Sequence, residues 1–363
     1  MKRPRPLMSI LSVLIVGLVI FSGTFFAWNT AVDLFSSASN STTIVSIEIR
    51  PGETTAQIAD ELQSKGLIRN AFAFRVWARI KGLDQQLQAG LYKQLSPNMS
   101  IMEITEHLLN GQPDALPYTI VEGFRIEQIA RVLDNGKLVK FNKDEFLRYA
   151  QHPDQFPDKA KYPLLQAIPQ GGSMEGLLFA TTYEVLVQST AKDVINQMLQ
   201  QTDTILAQNK LEQIARERQY KNVYDLISLA SIIERETGNE TLDYRPQIAS
   251  VYWNRLFKAL TYETVGFLNA DPTSQYGRDT LSPPTTYWKP IADPRIDSPY
   301  NTYDHKGLPP TPICSPGLAS LKAAASPADT NYLYFFASTD GKNYFAKDLE
   351  EFEKLKAQHP VRI

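Results

Sequence analysis

The sequence predicts an α+β protein: an N-terminal transmembrane helix, one or more small strand-turn-helix modules, then a larger domain of helices and short strands. Three observations predict it. The 27 residues from Pro6 to Val32 contain no ionisable side chain. A strand, Gly turn and helix pattern recurs within the first 135 residues. Helical periodicity then dominates and gives way to a two-strand pattern near the C-terminal end. The 363 residues are 43% hydrophobic, enough for two or three domains with real cores, so wholesale disorder is excluded. The expected boundaries are a cytoplasmic tail over 1–6, a transmembrane helix over 7–28, a tether over 29–44, the small modules over 45–135 and the larger domain over 136–363.

Composition excludes several classes of function. The net charge of −2 gives no support for a nucleic-acid partner. A single cysteine, Cys314, excludes an intramolecular disulfide and any CxxC zinc or redox site. His107, His152, His305 and His359 are scattered, so no HExxH-type metal motif exists and neither metal nor cofactor is expected.

Lys2, Arg3 and Arg5 precede the apolar run, whose 22 residues from Leu7 to Trp28 would span about 33 Å as a helix. The basic flank predicts a cytoplasmic N-terminus, with everything after Asp33 outside the cytoplasm. The competing reading is a cleaved signal peptide, but the run exceeds a typical signal h-region and no A-x-A site closes it. Asn29 to Thr43, rich in Ser, Thr, Asn and Ala, suits a flexible tether.

Ile49–Leu62 reads IRPGETTAQIADEL and Ile120–Leu133 reads IVEGFRIEQIARVL. Without gaps, Gly52 meets Gly123, Ile58 meets Ile129, Ala59 meets Ala130 and Leu62 meets Leu133. Pro97–Leu109 carries a weaker third copy of the helix pattern. Such units are too small to hold a core alone, so the copies are expected to pack on each other or on intervening helices. PGETTAQIADEL resembles the LysM-like module, a βα unit that binds N-acetylglucosamine-containing glycans in other proteins; a spacer without sugar affinity is the alternative.

Asp144–Ala150 reads as helix, Pro153–Gly172 as an irregular connection, and Thr190–Tyr220 as one long amphipathic helix. Leu226–Thr237, LISLASIIERET, is an apolar helix ending in charge. Glu234 and Glu236 lie about 200° apart around it, so they cannot form the facing carboxylate pair of a two-carboxylate glycosidase. Each sits at an edge of the apolar face, and periodicity does not choose between them. Gln247–Leu256 is a second helix, and Asn269–Gly277 a turn-rich polar segment. Ten of the 23 prolines fall between Pro283 and Pro327, which excludes regular helix through most of that stretch. Six tyrosines and two tryptophans lie between Tyr252 and Tyr303, suited either to sugar faces or to ordinary packing. Ser320–Ala325 is a short helix; Tyr332–Ala337 and Asn343–Ala346 are strands about a turn at Gly341.

The stretches LASIIERET (229–237), IASVYWNRL (248–256), ADPTSQYG (270–277), SPYNTYDHKGLPPTPICSPGLASLKAAASPADTNYLYF (298–335), QAGLY (88–92) and VEGF (121–124) occur in the order seen in the endolytic murein transglycosylase family (MltG, YceG-like). The chain resembles that family over nearly its whole length. The resemblance implies a peptidoglycan lyase. Such an enzyme cleaves the β-1,4 bond between N-acetylmuramic acid and N-acetylglucosamine inside glycan strands, with the muramic C6 hydroxyl as nucleophile, leaving 1,6-anhydro ends and so terminating nascent strands. It implies that Glu236, second of the E-x-E pair, is the catalytic acid and base. Asp271, Thr273, Tyr276, Tyr300, Asn301, Thr302 and Tyr303 fall in family motifs and are the expected substrate-binding residues. Peptidoglycan strands are the implied partner, with peptidoglycan synthases as further partners, at the outer face of the cytoplasmic membrane.

Three segments depart from the family. Glu175–Tyr183 reads EGLLFATTY, with Ala180 and Thr181 where Pro and Asp are usual. Tyr262–Leu268 resembles an insertion, and NYFAKDLEEFEKL (343–355) replaces a histidine-containing segment. Two competing readings stand beside this one: a membrane-tethered glycan-binding or scaffold protein with impaired catalysis, drawn from the LysM-like part and these departures, and, unrelated to them, a structural partner of the division or elongation machinery with no glycan contact.

Overall fold

The computed structural model describes residues 24, 28, 30–50, 52–82, 87, 90–110, 115–237, 243–258 and 265–362. The fold is mixed α+β and divides into two units. One runs to Leu116 and takes in Leu186–Gln188; the other holds Pro117–Val185 and the chain from Ser189.

In the first unit, β1 (Val45–Ile49) pairs antiparallel with β2 (Gly90–Leu95), setting Ile47 opposite Tyr92 and Ile49 opposite Gly90. Strand alternation turns Ile47 and Ile49 to the interior. There they join Ile58 and Leu62 of α1 (Thr55–Ser64), Phe74 of α2 (Ala71–Lys81) and Ile104 of α3 (Ile101–Asn110) in one core. Each such side chain contributes about 1.5–3 kcal/mol when fully buried. The segment read as a tether lies against this unit. Residues 30–35 are helical, the Ser39 N–H donates to the Pro97 carbonyl at 2.9 Å, and Arg69 Nε donates to the Ala38 carbonyl at 2.9 Å.

The two strong repeat copies share their local geometry. Gly52 and Gly123 both adopt φ near +80°, the left-handed region glycine enters without strain. The N–H three residues after each turn start donates back across it, Glu53 to Arg50 at 3.0 Å and Phe124 to Val121 at 3.2 Å. Gln57 and Gln128 each reach back to the backbone N–H of the residue before the helix, at 2.9 and 3.1 Å.

The copies nonetheless do not make the expected LysM-like module. Each strand needs a neighbour for its backbone groups, and each finds one outside its own copy. β1 recruits β2, whereas β3 (Ala115–Thr119) recruits β4 (Thr182–Leu186), and the second copy's helix belongs to the other unit. No clear LysM βα module is found among the described residues.

The expected transmembrane helix is also corrected. Among the described residues no helix is long and apolar enough to cross a membrane. The longest helix among the described residues, Ala191–Gln208, has 18 residues but carries Lys192, Asp193 and Asp203. The span read over 7–28 lies outside the described residues except for Thr24 and Trp28. The single-pass anchor, the membrane as a partner and the placement derived from them are therefore not retained.

The second unit continues from β3 with α4 (Ile126–Asp134) and α5 (Lys143–Gln151), then short 3-10 turns across 153–167. The stretch 190–220 is two helices, α6 (Ala191–Gln208) and α7 (Leu211–Glu217), because Lys210 takes a left-handed φ of 54° between them. The centre is α8 (Val223–Glu236), started by the Asn222 side chain, which accepts from the N–H groups of Tyr224 and Asp225. From Leu226 to Glu234 every residue of α8 is buried. It packs against α7, α9 (Arg245–Trp253), α10 (Asp271–Leu281) and α11 (Leu318–Ala325). The polar segment after Asn269 is thus a helix, with Asp271 and Pro272 in its first turn, a start signal the turn-rich reading passed over. The proline-rich stretch is irregular up to Gly317 and is pinned to α8. Ser231 Oγ accepts from the Ile313 N–H at 3.0 Å, and Cys314 Sγ donates to the Ser231 carbonyl at 3.3 Å. A hairpin of β5 (Tyr334–Ala337) and β6 (Asn343–Ala346) and helix α12 (Leu349–Gln358) close the unit.

Candidate active site

Helix α8 ends in a way that separates its two glutamates. The Thr237 N–H and hydroxyl both donate to the Ile233 carbonyl, at 3.1 Å, and stop the helix one residue after Glu236. The buried Glu234 carboxylate accepts from the Gly317 N–H at 3.0 Å and from Ser320 Oγ at 2.7 Å. It thereby caps the start of α11, where the helix dipole favours an anion. Glu236, around the helix from it, remains partly exposed. Its Oε1 accepts a short hydrogen bond, 2.5 Å, from the buried Tyr252 hydroxyl on α9.

Burial pushes the Glu236 carboxyl up to about 7; the Asp271 charge adds to the rise, while the Tyr252 hydrogen bond, Arg255 and Arg235 oppose it. Arg255 lies on a π-helical turn, Asn254–Lys258, that continues α9. Its Nε donates to the Leu333 carbonyl at 2.7 Å and its Nη1 to the Leu268 carbonyl. Asn254 fastens the same turn to the Thr330 and Tyr332 carbonyls at 3.0 and 2.9 Å.

The expected substrate residues fall into two groups. Asp271, exposed at the first turn of α10, accepts from the Tyr303 hydroxyl at 2.6 Å, and both groups act electrostatically on the Glu236 surroundings. Thr273, Asn301 and Thr302 are buried and hold that pair in place. Thr302 Oγ1 accepts from the Ala270 N–H at 3.1 Å and meets Thr273 Oγ1 at 2.9 Å. Asn301 Oδ1 accepts from the Tyr303 N–H at 3.0 Å. Tyr276 and Tyr300 lie elsewhere, with rings 4.7 Å apart, the first donating to Glu175 at 3.1 Å and the second paired with Thr311 at 3.0 Å.

Glu175 anchors a cluster that sequence reasoning did not single out. Its carboxyl is fully buried and accepts from the Ile126 N–H at 3.1 Å. Arg125, also buried, stacks over the Tyr276 ring at 4.0 Å and donates to Thr280 Oγ1 at 2.8 Å. The EGLLF motif was the available signal for Glu175, and YWNRL for Tyr252 and Arg255. Ala180 and Thr181, the departures in this motif, are placed where the Thr181 carbonyl accepts from the Ile120 N–H at 2.9 Å, a backbone role open to any residue. Residues 259–264, part of the apparent insertion, lie outside the described residues.

Burial pushes Glu175 from its ordinary 4.5 up to about 8, with the Glu127 charge as the next cause. The folded chain therefore holds this proton more tightly than the unfolded chain. The resulting stability is complete below pH 4.5 and is lost as pH rises through about 8. Glu175→Gln keeps an acceptor but cannot ionise. Its thermal midpoint should fall less between pH 5 and pH 8 than that of the parent chain; parallel midpoints in a thermal melt series would disprove this.

A cavity of about 410 Å³ beside His152, Pro153 and Leu165 contains none of the expected site residues. Among the described residues no group of three or more His, Cys, Asp or Glu side chains converges as a metal site.

Glu236 is thus a partly exposed carboxyl bonded to the Tyr252 hydroxyl, with the charges of Asp271, Arg255 and Arg235 acting on it, on an α+β scaffold. The model of the YceG-like family matches residues 47–358, and the chain belongs to that family. It is 33% identical over 329 residues to the endolytic murein transglycosylase of Bacillus subtilis, covering 88% of this chain and 86% of that protein. It is 29% identical over 369 residues to the endolytic murein transglycosylase of Streptococcus pneumoniae, covering 96% of this chain and 65% of that protein. A crystal structure of a yceG-like protein from Listeria monocytogenes is similar with a TM-score of 0.55 at 31% identity, covering 87% of this chain and 100% of that chain.

Proposed function

We propose that this chain is an endolytic peptidoglycan lytic transglycosylase with Glu236 as its single acid and base. The observation that carries the reading is the Glu236 carboxyl, partly exposed, bonded to Tyr252 and raised to about 7. A group that must first give and then take a proton works best near the ambient pH.

In the proposed reaction Glu236 gives its proton to the glycosidic oxygen as the bond to the muramic C1 breaks. The C6 hydroxyl oxygen then bonds to C1, and its proton returns to Glu236. The acid is restored, no water is consumed, and no second carboxylate is needed to activate one. The Tyr252 hydroxyl stabilises the carboxylate between the two transfers. Asp271 contributes negative charge where the oxocarbenium-like transition state is positive. Thr273, Thr302 and Asn301 act by fixing Asp271 and Tyr303. Mass spectrometry of sacculi digested with the purified protein tests the reading: new 1,6-anhydro ends inside strands are expected, and hydrolysed ends or none would refute it.

Only the protonated enzyme starts the cycle, so kcat/KM should be high below pH 7 and fall as pH rises past about 7. Tyr252→Phe removes a donor that favours the carboxylate, so it should move this alkaline limb upward. An unmoved or lowered limb would show that another group titrates.

A further inference from the structure

Arg235 differs from the other buried or half-buried arginines of the second unit. Arg125 donates to Thr280 and Glu127, Arg255 to the Leu333 and Leu268 carbonyls, and Arg245 to Asp243 and Ser320. The Arg235 Nε is buried with no hydrogen-bond partner, and no carboxylate among the described residues lies within ion-pair distance of its guanidinium. Its two neighbouring carboxylates are committed elsewhere: Glu234 to Gly317 and Ser320, and Glu236 to Tyr252.

The guanidinium is nevertheless held in place. The Trp288 ring lies 4.2 Å from its centre. Trp288 is itself locked, with its N–H on Asp279 at 2.9 Å, its indole Nε1 on Gln128 at 3.3 Å and its backbone at φ +66°, a conformation that costs energy for a bulky residue. On another side the Gly123 backbone approaches closely enough that a Cβ there would come to 2.9 Å of Arg235 Nη1. A planar cation thus lies over an indole and beside the Gly123 backbone, one residue before Glu236, with its buried Nε unpaired. The donor fork of a guanidinium matches a carboxylate.

We infer that Arg235 binds a carboxylate of the substrate, carried by the lactyl ether of a peptide-free muramic residue or by a stem peptide. This rests on the transglycosylase reading and adds to it the substrate's anionic group. Partial burial already draws the Arg235 pKa down, so an incoming anion would relieve an existing cost.

The test compares the full chain with Arg235→Gln and Arg235→Lys on peptide-free and on peptide-bearing glycan strands, each intact or with its carboxylates methyl-esterified. Arg235→Gln should raise KM about tenfold or more, the loss of one charge-assisted interaction, with a smaller change in kcat. Arg235→Lys should recover part of that loss. Esterification should raise KM for the parent chain and leave Arg235→Gln unchanged. Dependence only on peptide-free strands assigns the lactyl carboxylate, and dependence only on peptide-bearing strands assigns the stem peptide. Equal KM values for parent and Arg235→Gln on intact strands, or an effect that survives esterification, would overturn the inference. Sedimentation of the same proteins with intact and esterified sacculi separates the two readings. Carboxylate- and Arg235-dependent binding without strand cleavage would refute the reaction and keep the site.

Discussion

Glu236→Gln should lower the rate of anhydro-end formation by about 10³-fold or more while leaving the fold unchanged. General acid–base catalysis alone supplies about 10²–10⁴-fold, and here one group would serve both proton transfers. Glutamine is the right probe because it keeps size and can still accept from the Tyr252 hydroxyl, so α9 and the π-turn behind it stay anchored. Relief of a partly buried carboxyl should leave the thermal midpoint level or slightly higher. Glu234→Gln supplies the contrast. Its cost should appear in stability, through the Gly317 and Ser320 bonds, and much less in turnover. The discriminating measurement is initial rate against thermal midpoint for both variants on the same sacculi. Near-parent turnover in Glu236→Gln would remove the assignment, and a loss confined to Glu234→Gln would transfer it.

Arg125→Met should destabilise the second unit by about 1–3 kcal/mol, the cost of leaving buried acceptors without their donor. Arg125 is 1% exposed, and its methylene stem is replaced well by methionine, so most of the cost is electrostatic. Glu127 would lose its cation at 3.2 Å, and Thr280 and the Tyr276 carbonyl would lose donors. Glu175 would lose the charge that now opposes its rise, and its proton would be held more tightly still. Urea unfolding near pH 7 measures the effect as a lower midpoint at unchanged slope. A loss under about 1 kcal/mol would mean the stacked rings, not the charge, hold this cluster.

The sequence reading was accurate where information is local. Turns that require glycine, such as Gly52 and Gly123, are written within a few residues, whereas the cap at Asn222, which starts α8 at Val223 and not at Leu226, was not read. The repeat was therefore visible, but not its strand partners, because pairing is settled by contacts far along the chain. The same limit explains the LysM-like reading, which rested on the local pattern PGETTAQIADEL and carried no information on strand partners. The break at Lys210 was missed because apolar spacing runs through it, and the helix at Asp271 because polar residues at a first turn read equally well as a loop. At the site, a helical wheel could place Glu234 and Glu236 but could not show that one caps α11 and the other meets Tyr252. That difference comes from segments 16 and 83 or more residues away. The apolar N-terminal run was read from composition alone, and no described helix carries the span it promised.

The hydrogen bonds around Arg255 also set a schedule for folding. Its Nε acceptor, Leu333, lies 78 residues later, on the segment leading into β5. A chain emerging from the ribosome can close the Gly52 and Gly123 turns early, since their partners are only three residues apart. The surroundings of Glu236 stay open until the C-terminal hairpin arrives and fastens the π-turn from outside. A nascent chain that has not reached Leu333 therefore carries Glu236 without the fastening of Arg255 beside it.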